Sequence, residues 1–359
     1  MFFRLLAQGK VCWGTADGQP DEADGMPVAV IRRGEHDGLR KYYIEDKMVR
    51  IVSVPADDRE GEAWLADIPR EDFGAAADAL LALLREARGE DCVDIPDGIE
   101  GFLDAVHVRN LEAQTDDRTD LHLAFGHPGA PFMGFVVRCR LCPMNPLLDG
   151  GRAANLKLEQ TGARFSSPAV SKINALEAVS ADTVVAERMR MIERLGGVLK
   201  YSDVADKVFR CNLLMIDLHF PRMLAEMVRL MHLEGMSRVS ELTERIRQIN
   251  PLKIKDELIQ KHGFYEYKVR QFLLALALGM RPAKIFKGYG SAIEGMLLAD
   301  AEGRLMCYHK MRDGVFADFL YANTRFEKGS SEKDKYGYLE RENGSYYFKL
   351  NAKIGLLKR

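Results

Sequence analysis

The residues in this sequence that could best support catalysis are an aspartate before one apolar run and an arginine within the next. Asp120 stands at the head of the apolar run Leu121–Phe125, and Arg138 lies within a second run, Gly134–Cys139. The segment His127–Pro131 between them contains two prolines and a glycine, as is typical of a hairpin turn. A hairpin of this kind could place an acid and a cation side by side.

This layout is the one that metal-dependent nucleases of the PD-(D/E)XK type use. Those enzymes place one acid on the first strand and an acid-x-lysine triplet on its partner. The two strands then hold Mg²⁺ against the scissile phosphate, where it stabilises developing charge and activates water. A β-hairpin that merely begins with a solvated turn aspartate gives the same spacing, so both interpretations of Asp120 stay open.

A second group that could bind a metal is the pair Cys139 and Cys142, with His122 and His127 nearby in sequence. Four such ligands could hold zinc in tetrahedral geometry. A second cysteine pair is missing, and His122 falls within an alternating strand, so we favour two strand-end thiols. The sequence contains no GxxxxGK[ST], GxGxxG, HExxH or GxSxG motif.

Basic side chains in the second half of the chain suit contact with nucleic acid. Mixed Lys, Arg and Ser segments bind phosphates, and arginine can also read guanine. Each candidate has a structural alternative, either as a residue that flanks a buried helix or as part of a solvated loop with interleaved acids. The candidates are Lys172, Lys268, Arg270, Arg325, Lys328, Lys333 and Lys335.

Composition and charge are those of a globular protein. Of the 359 residues, 47% are hydrophobic and 29% are charged, and the six cysteines are sparse enough to indicate a reducing compartment. Neither a signal peptide nor an apolar run of membrane-spanning length is evident, so we expect a cytoplasmic protein.

Charge is distributed unevenly along the chain. Residues 1–155 carry 17 Lys and Arg against 28 Asp and Glu, whereas the remainder carries 34 Lys and Arg against 25 Asp and Glu. This asymmetry indicates either an anionic partner for the second part or attraction between the two parts.

The apolar pattern predicts an α/β region up to about residue 155, followed by helices and then β-hairpins. Besides the two runs after Asp120, the predicted strands are Val28–Ile31, Tyr42–Ile44, Val49–Val54, Val106–Val108, Gly295–Ala299, Leu305–His309, Tyr336–Glu340 and Tyr346–Leu350. The predicted helices are Phe73–Arg88, Asp182–Leu195, Asp203–Leu218, Pro221–Leu233 and Tyr265–Leu278.

Short strings spread along the chain resemble the HpaII-type restriction endonucleases. The densest match starts at Phe264 with FYEYKVRQFLLALALGMRPAKI, which is similar to the family's FYEYK helix and its ALGM-x-P-x-K segment. Other similar strings follow the family's order at compatible spacing. They are Leu5–Lys10, Phe209–Leu218, Asn250–Leu252, Cys307–His309, Asn323–Arg325 and Tyr346–Asn351.

The resemblance implies a type II restriction endonuclease that binds double-stranded DNA at CCGG and hydrolyses phosphodiester bonds with Mg²⁺. A partner DNA methyltransferase would protect host DNA, and a homodimer would match a palindromic site by two-fold symmetry. The expected fold is α/β or α+β. Residues 1–155 would form a PD-(D/E)XK-like mixed sheet, and residues 156–359 would form the DNA-recognition part.

The strand after the aspartate departs from the family pattern. Family members have a GF-Ser-x-Lys-Ser run, whereas this chain has Val136 in place of the first serine and Arg138 in place of the lysine. Valine offers no oxygen to a metal, and arginine keeps its charge but cannot act as a general base. The resemblance therefore assigns Asp120 as metal ligand and catalytic residue, and Arg138 as the substitute for lysine. A catalytically inactive DNA-binding homologue is the alternative.

Overall fold

A computed structural model describes residues 1–54, 61–87, 93–110, 118–177 and 183–357. The backbone forms two compact units. Unit 1 contains residues 1–144 and 290–319, and unit 2 contains residues 145–289 and 320–357. Residues 290–319 thus belong to unit 1, although the sequence-based division groups them with the second region. No helix in the described ranges is long and apolar enough to cross a membrane.

Strands and helices alternate along the whole described chain. The strands are β1 (Lys10–Gly14), β2 (Pro20–Glu35), β3 (Gly38–Ile44), β4 (Met48–Val54), β5 (Ala63–Pro69), β6 (Leu121–Phe125), β7 (Met133–Cys139), β8 (Leu148–Asp149), β9 (Asn155–Gly162), β10 (Gly197–Val204), β11 (Ile293–Ala299), β12 (Leu305–His309), β13 (Thr324–Phe326), β14 (Leu339–Glu342), β15 (Ser345–Asn351) and β16 (Lys353–Leu356). The helices are α1 (Phe2–Gln8), α2 (Arg70–Glu86), α3 (Asp97–Ala105), α4 (Ser167–Asn174), α5 (Val184–Arg194), α6 (Lys207–Ile216), α7 (Phe220–Glu234), α8 (Val239–Ile249), α9 (Asp256–His262), α10 (Phe264–Ala277), α11 (Asp313–Asn323) and α12 (Ser331–Asp334).

The strands of unit 1 form one mixed sheet in the order β1-β12-β11-β7-β6-β2-β3-β4-β5. Strand β1 also pairs with β2, so the first six strands of this order close into a barrel-like ring. Two pairings in this ring, β1 with β12 and β7 with β11, are parallel. The predicted mixed α/β class is confirmed. The closure of the sheet was not predicted.

Aromatic side chains fix both faces of this sheet. On one face, Phe3, Phe73 and Phe102 from α1, α2 and α3 meet edge to face, with ring centroids 5.3–5.8 Å apart. On β12, the buried Tyr308 stacks on Phe319 at 4.0 Å, and its hydroxyl donates to a carbonyl oxygen of the β1–β2 connection at 2.9 Å. Such aromatic pairs add about 0.5–1.5 kcal/mol each beyond the area that they bury.

Unit 2 combines helices with two small antiparallel sheets, β10-β9-β15-β14 and β13-β16-β8. Its helix α7 buries the apolar stripe that the sequence predicted, and Phe220 of α7 contacts Phe272 of α10 with 4.7 Å between ring centroids. The burial of seven residues of α10 agrees with its apolar character on nearly all sides.

Most predicted strands and helices are confirmed within a few residues, and two predictions are wrong. The run Val106–Val108 is not a strand. It follows α3, and the Val106 N–H donates to the carbonyl oxygen of Phe102 as a helix-terminal bond. The helix predicted from Asp203 starts too early, because Asp203 lies in β10 and Asp206 caps α6. Asp182, where the predicted helix Asp182–Leu195 begins, lies outside the described residues.

Gly134 of β7 occupies a position where no larger side chain fits, because a Cβ there would lie 2.3 Å from the Ala292 carbonyl oxygen and 2.6 Å from Thr119 Cγ2. We expect Gly134→Ala to destabilise the fold by about 1–3 kcal/mol through overpacking, as measured by urea denaturation. Gly101→Ala is the matched control. Gly101 lies within α3 with open space at its Cβ position, so alanine should stabilise by roughly 0.5–1 kcal/mol. Equal effects at the two positions would contradict the close approach at Gly134.

Candidate functional site

The hairpin of β6 and β7 places the predicted catalytic residues on one surface. Leu121 pairs with Phe135 in antiparallel register, and the Asp120 N–H donates to the Phe135 carbonyl oxygen at 2.8 Å. One step further along this register, Asp120 lies opposite Val136. Because side chains alternate between the faces of a sheet, Asp120, Val136 and Arg138 project from the same face.

The Asp120 carboxylate is held against β7. Its Oδ2 accepts the backbone N–H of Val137 at 2.6 Å, and the side chain is half-buried. The hydrogen bond fixes the carboxylate beside the strand that carries Arg138. It also commits one carboxylate oxygen to the protein backbone.

The Arg138 guanidinium is anchored to its own strand. Its Nη1 donates to the Val137 carbonyl oxygen at 2.8 Å, while its buried Nε has no hydrogen-bond partner within the described ranges. Burial lowers the pKa of Arg138 from its ordinary value, and the negative charge of Asp120 acts in the opposite direction. Arginine nevertheless stays protonated in proteins, so this group can attract a phosphate but cannot accept a proton from water.

These residues do not fit a Mg²⁺ ion held by the protein alone. Mg²⁺ requires near-octahedral oxygen ligation and is usually bound by one or two carboxylates with waters and substrate phosphates. Asp120 supplies one carboxylate. The buried side chain of Val136 has no oxygen, and the side chain of Arg138 is a cation. Among the residues that the structure describes, no three His, Cys, Asp or Glu side chains could hold a metal ion. The role of Asp120 as a metal ligand stays a prediction.

Cys139 and Cys142 form a hydrogen-bonded pair of thiols at the end of β7. The hydrogen bond from Cys142 lowers the pKa of Cys139 to about 6, and the same contact raises the pKa of Cys142. His122 contacts Thr119 Oγ1 at 3.3 Å. Within the described part of the chain, His122 and His127 do not complete a metal site with the two thiols.

Lys268 and Arg270 of α10 make contacts within unit 2. Lys268 Nζ lies 3.3 Å from Asp217 Oδ2 and 3.4 Å from the Ile216 carbonyl oxygen. The Arg270 guanidinium lies over the ring of Tyr321, 4.1 Å from its centroid. These contacts give both residues a packing role. Contact of either residue with DNA stays a prediction.

Buried asparagines hold in place the segment 325–335, which connects the end of β13 to the short helix α12 and is called the 325–335 loop below. Asn155 Nδ2 donates to the carbonyl oxygens of Asp334 at 2.8 Å and Lys335 at 3.2 Å. Asn351 Nδ2 donates in turn to Asn155 Oδ1 at 2.8 Å. Both asparagines are at most 3% exposed, so the loop is tied to the interior of unit 2.

Most basic candidates of unit 2 point toward solvent. Arg325 is an exception, because its guanidinium lies 3.5 Å from Glu327 Oε1 and its Nε is buried. In the ranges described, no acidic group lies within ion-pairing distance of Lys172, Lys333 or Lys335. Exposed lysines of this kind could contact phosphates, and that role stays a prediction. The exposed members are Lys172, Lys328, Lys333 and Lys335.

His232 of α7 is a candidate that the sequence did not indicate. It is buried, and neither ring nitrogen has a hydrogen-bond partner among the described residues. Burial, with a smaller contribution from the charge of Lys328, lowers the pKa of His232 to about 4. His232 lines a cavity of about 260 Å³ together with Lys328, Ser330 and Ser331. In sequence, His232 stands in an apolar helical run, where nothing separates it from an ordinary core histidine.

Comparison with known proteins covers nearly the whole chain, and therefore both units. Residues 1–356 match the family described as HpaII restriction endonuclease. The chain belongs to this family. It is 29% identical to the type II restriction enzyme HpaII of Haemophilus parainfluenzae, over 99% of this chain and 95% of the relative. No solved structure matches the chain.

Membership of the HpaII family confirms the resemblance found in the sequence, and several strings that carried it have structural roles. Tyr265, in the FYEYK-like string, donates to Asn250 Oδ1 at 2.7 Å, and the Ile254 N–H donates to the same oxygen at 2.9 Å. Asn351, from another of these strings, donates through Nδ2 to Asn155 Oδ1. Residues in the strings that carry the resemblance thus form hydrogen bonds within unit 2.

His232 should make the stability of the protein depend on pH. Its pKa is about 4 in the folded protein, whereas an ordinary histidine has a pKa of 6.5, so the unfolded chain binds a proton between these values. Folding therefore has no cost from His232 above pH 6.5, where the residue is neutral in both states. The free energy of unfolding decreases as the pH falls from 6.5 toward 4. Between pH 7.5 and pH 5 we expect the wild type to lose about 2 kcal/mol more than His232→Leu. Urea titrations at the two pH values measure this difference. A loss of equal size in both proteins would argue against it.

Proposed function

We propose that this HpaII-family protein binds double-stranded DNA at short palindromic sites of the CCGG type and has lost efficient cleavage. Family membership along both units supports the binding part of the proposal. The observation that carries the second part is the composition of the hairpin surface. Val136 and the backbone-anchored Arg138 flank Asp120 there, where the family resemblance expects serine and lysine.

We infer that the β6–β7 hairpin is the counterpart of the PD-(D/E)XK hairpin. In nucleases of that type, the second strand supplies a metal ligand and a lysine that positions or activates water. Val136 supplies no ligand, and Arg138 supplies a charge without basicity. The cation of Arg138 can therefore still attract a phosphate, but the centre has no lysine to activate water.

Site-specific hydrolysis of phosphodiester bonds with Mg²⁺ is the second candidate function. It is favoured by one observation, the position of Asp120 and Arg138 on the same face of the hairpin with Asp120 fixed to β7. On this alternative the protein is an active type II deoxyribonuclease. The oxygen ligands of Mg²⁺ that the protein does not provide would then come from the phosphates of the DNA substrate and from water.

Further parts of the proposal follow from the binding of a palindromic site. Two copies of the chain would bind as a homodimer, because the two-fold symmetry of the site is then matched by the protein. A DNA methyltransferase that modifies the same site would complete a restriction-modification pair in the cytoplasm. Contacts with the DNA backbone would come from the exposed lysines of unit 2.

Binding to a CCGG duplex should weaken steeply with salt, because bound lysines displace counterions from phosphates. A plot of log affinity against log salt should have a slope of about −0.9 per neutralised phosphate, and Lys333→Ala or Lys335→Ala should each reduce that slope by roughly 1. Gel shifts at several salt concentrations, with a scrambled duplex for comparison, measure both effects. Lys261→Ala is the matched control, since Lys261 pairs with Glu257 on α9. A flat salt response, or equal affinity for both duplexes, would rule out the binding proposal.

The wild-type protein should leave a CCGG-containing plasmid uncut in Mg²⁺ and in Mn²⁺. The double variant Val136→Ser/Arg138→Lys should cut it, with a gain of roughly 10²-fold or more if the lysine acts on water. Fragment analysis with CCGG-methylated plasmid as a control measures the cleavage, and Asp120→Ala added to each protein shows whether it depends on this centre. Discrete wild-type fragments that disappear with Asp120→Ala would replace the proposal with the second candidate function.

A further inference from the structure

A buried histidine of unit 2 lacks any partner in the described chain. His232, near the C-terminal end of α7, is 7% exposed, and neither Nδ1 nor Nε2 is hydrogen-bonded there. A buried polar group left unpaired costs about 1–3 kcal/mol, so such a group in a folded protein requires an explanation. An external ligand with hydrogen-bonding atoms would supply the missing partner.

His232 is one of the residues that line a cavity large enough for such a ligand. The cavity volume is about 260 Å³, far above the roughly 10–15 Å³ that a single water requires. The polar groups of its walls are those of Lys328, Ser330, Ser331, Glu332 and Tyr336. The lining residues thus include one ammonium group, two serine hydroxyls, one imidazole and one carboxylate.

The walls of this cavity are held in shape before any ligand arrives. The Tyr336 hydroxyl donates to the Gly329 carbonyl oxygen at 2.8 Å. The Lys333 N–H donates to Ser330 Oγ at 3.3 Å, which leaves the Ser330 hydroxyl hydrogen for another acceptor. The segment that carries Ser330 and Tyr336 is thus ordered without a ligand, which lowers the ordering cost of binding.

We propose that His232, Lys328, Ser330 and Ser331 form a phosphate-binding pocket. Phosphate oxygens accept hydrogen bonds from each of these groups, and charge-assisted bonds from lysine are among the stronger ones. Both ring nitrogens of His232 are buried, so the imidazole turns about its Cβ–Cγ bond to donate to the phosphate through one of them. The phosphate is either one from the backbone of bound DNA, in which case the inference rests on the proposed function, or a free phosphate group.

Binding at this pocket should be coupled to protonation of His232. The titratable groups that line the cavity with His232 are Lys328, Glu332 and Tyr336, and α5 contributes the apolar Val185. Burial and the charge of Lys328 keep the pKa of His232 low, whereas a bound phosphate would act in the opposite direction. Affinity for a duplex, whose phosphodiesters do not titrate in this range, should therefore rise as the pH falls. The rise between pH 7.5 and 5.5 should be roughly 10-fold if binding restores an ordinary histidine pKa, and His232→Leu should remove it.

The test uses the full-length protein with two probes, inorganic phosphate in calorimetry at pH 7.5 and a CCGG or scrambled duplex in gel shifts. We expect His232→Leu and Lys328→Ala each to weaken phosphate binding by roughly 10-fold or more, and Lys261→Ala to leave it unchanged. Ser331→Ala is the smaller variant to use if His232→Leu fails to fold. Its expected effect is a loss of several-fold in phosphate affinity.

The duplex measurements decide between the two sources of phosphate. If the pocket variants weaken both duplexes equally, the ligand is a backbone phosphate, because such contacts carry no sequence information. If they weaken only the binding of inorganic phosphate, the ligand is a free phosphate group. Absence of phosphate binding by the wild type, or phosphate binding that none of the pocket variants reduces, would overturn the pocket. Phosphate binding by a wild type that ignores both duplexes would retain the pocket and remove the proposed DNA function.

Discussion

The pairing of β6 with β7 determines which side chains share the candidate centre of unit 1. A slip of one residue in this register would move Arg138 to the core face, because side chains alternate along a strand. Two features resist such a slip. The buried Phe135 belongs to the core of unit 1, and Gly134 lies so close to the neighbouring chain segment that a Cβ could not fit. The backbone thus fixes the geometry of the centre whatever side chains the centre carries.

Loss of chemistry at this centre is compatible with retention of the fold. Val136 contributes apolar burial to the sheet, and Arg138 satisfies a backbone carbonyl of its own strand. Neither residue needs a metal ion to be accommodated. The hydrogen bonds among Asn155, Asn351 and the 325–335 loop lie in unit 2 and do not involve the hairpin. We therefore expect changes at positions 136 and 138 to leave the segment that carries Lys328, Lys333 and Lys335 intact.

Local patterns were sufficient for the hairpin and for the long helices. Strands β6 and β7 are neighbours in sequence with a clear turn between them, and α7 and α10 have strong apolar patterns. Val106 misled the prediction because an apolar residue after a helix is buried in the same way as a residue of a strand. The role of His232 could not be predicted. Its significance rests on burial, an absent partner and a cavity, and residues far away in sequence create all three.

The ring of unit 1 has a consequence for how the chain is made. Cys12 of β1 pairs with Met306 of β12, so the ring cannot close until β12 has been synthesised. Residues 145–289 leave the ribosome before β12 does, and β1 meanwhile has β2 as a partner on one edge only. Pairings between such distant segments form slowly, and an open strand edge invites association with other chains. One edge of β1 therefore stays unpaired during synthesis until β12 has been made.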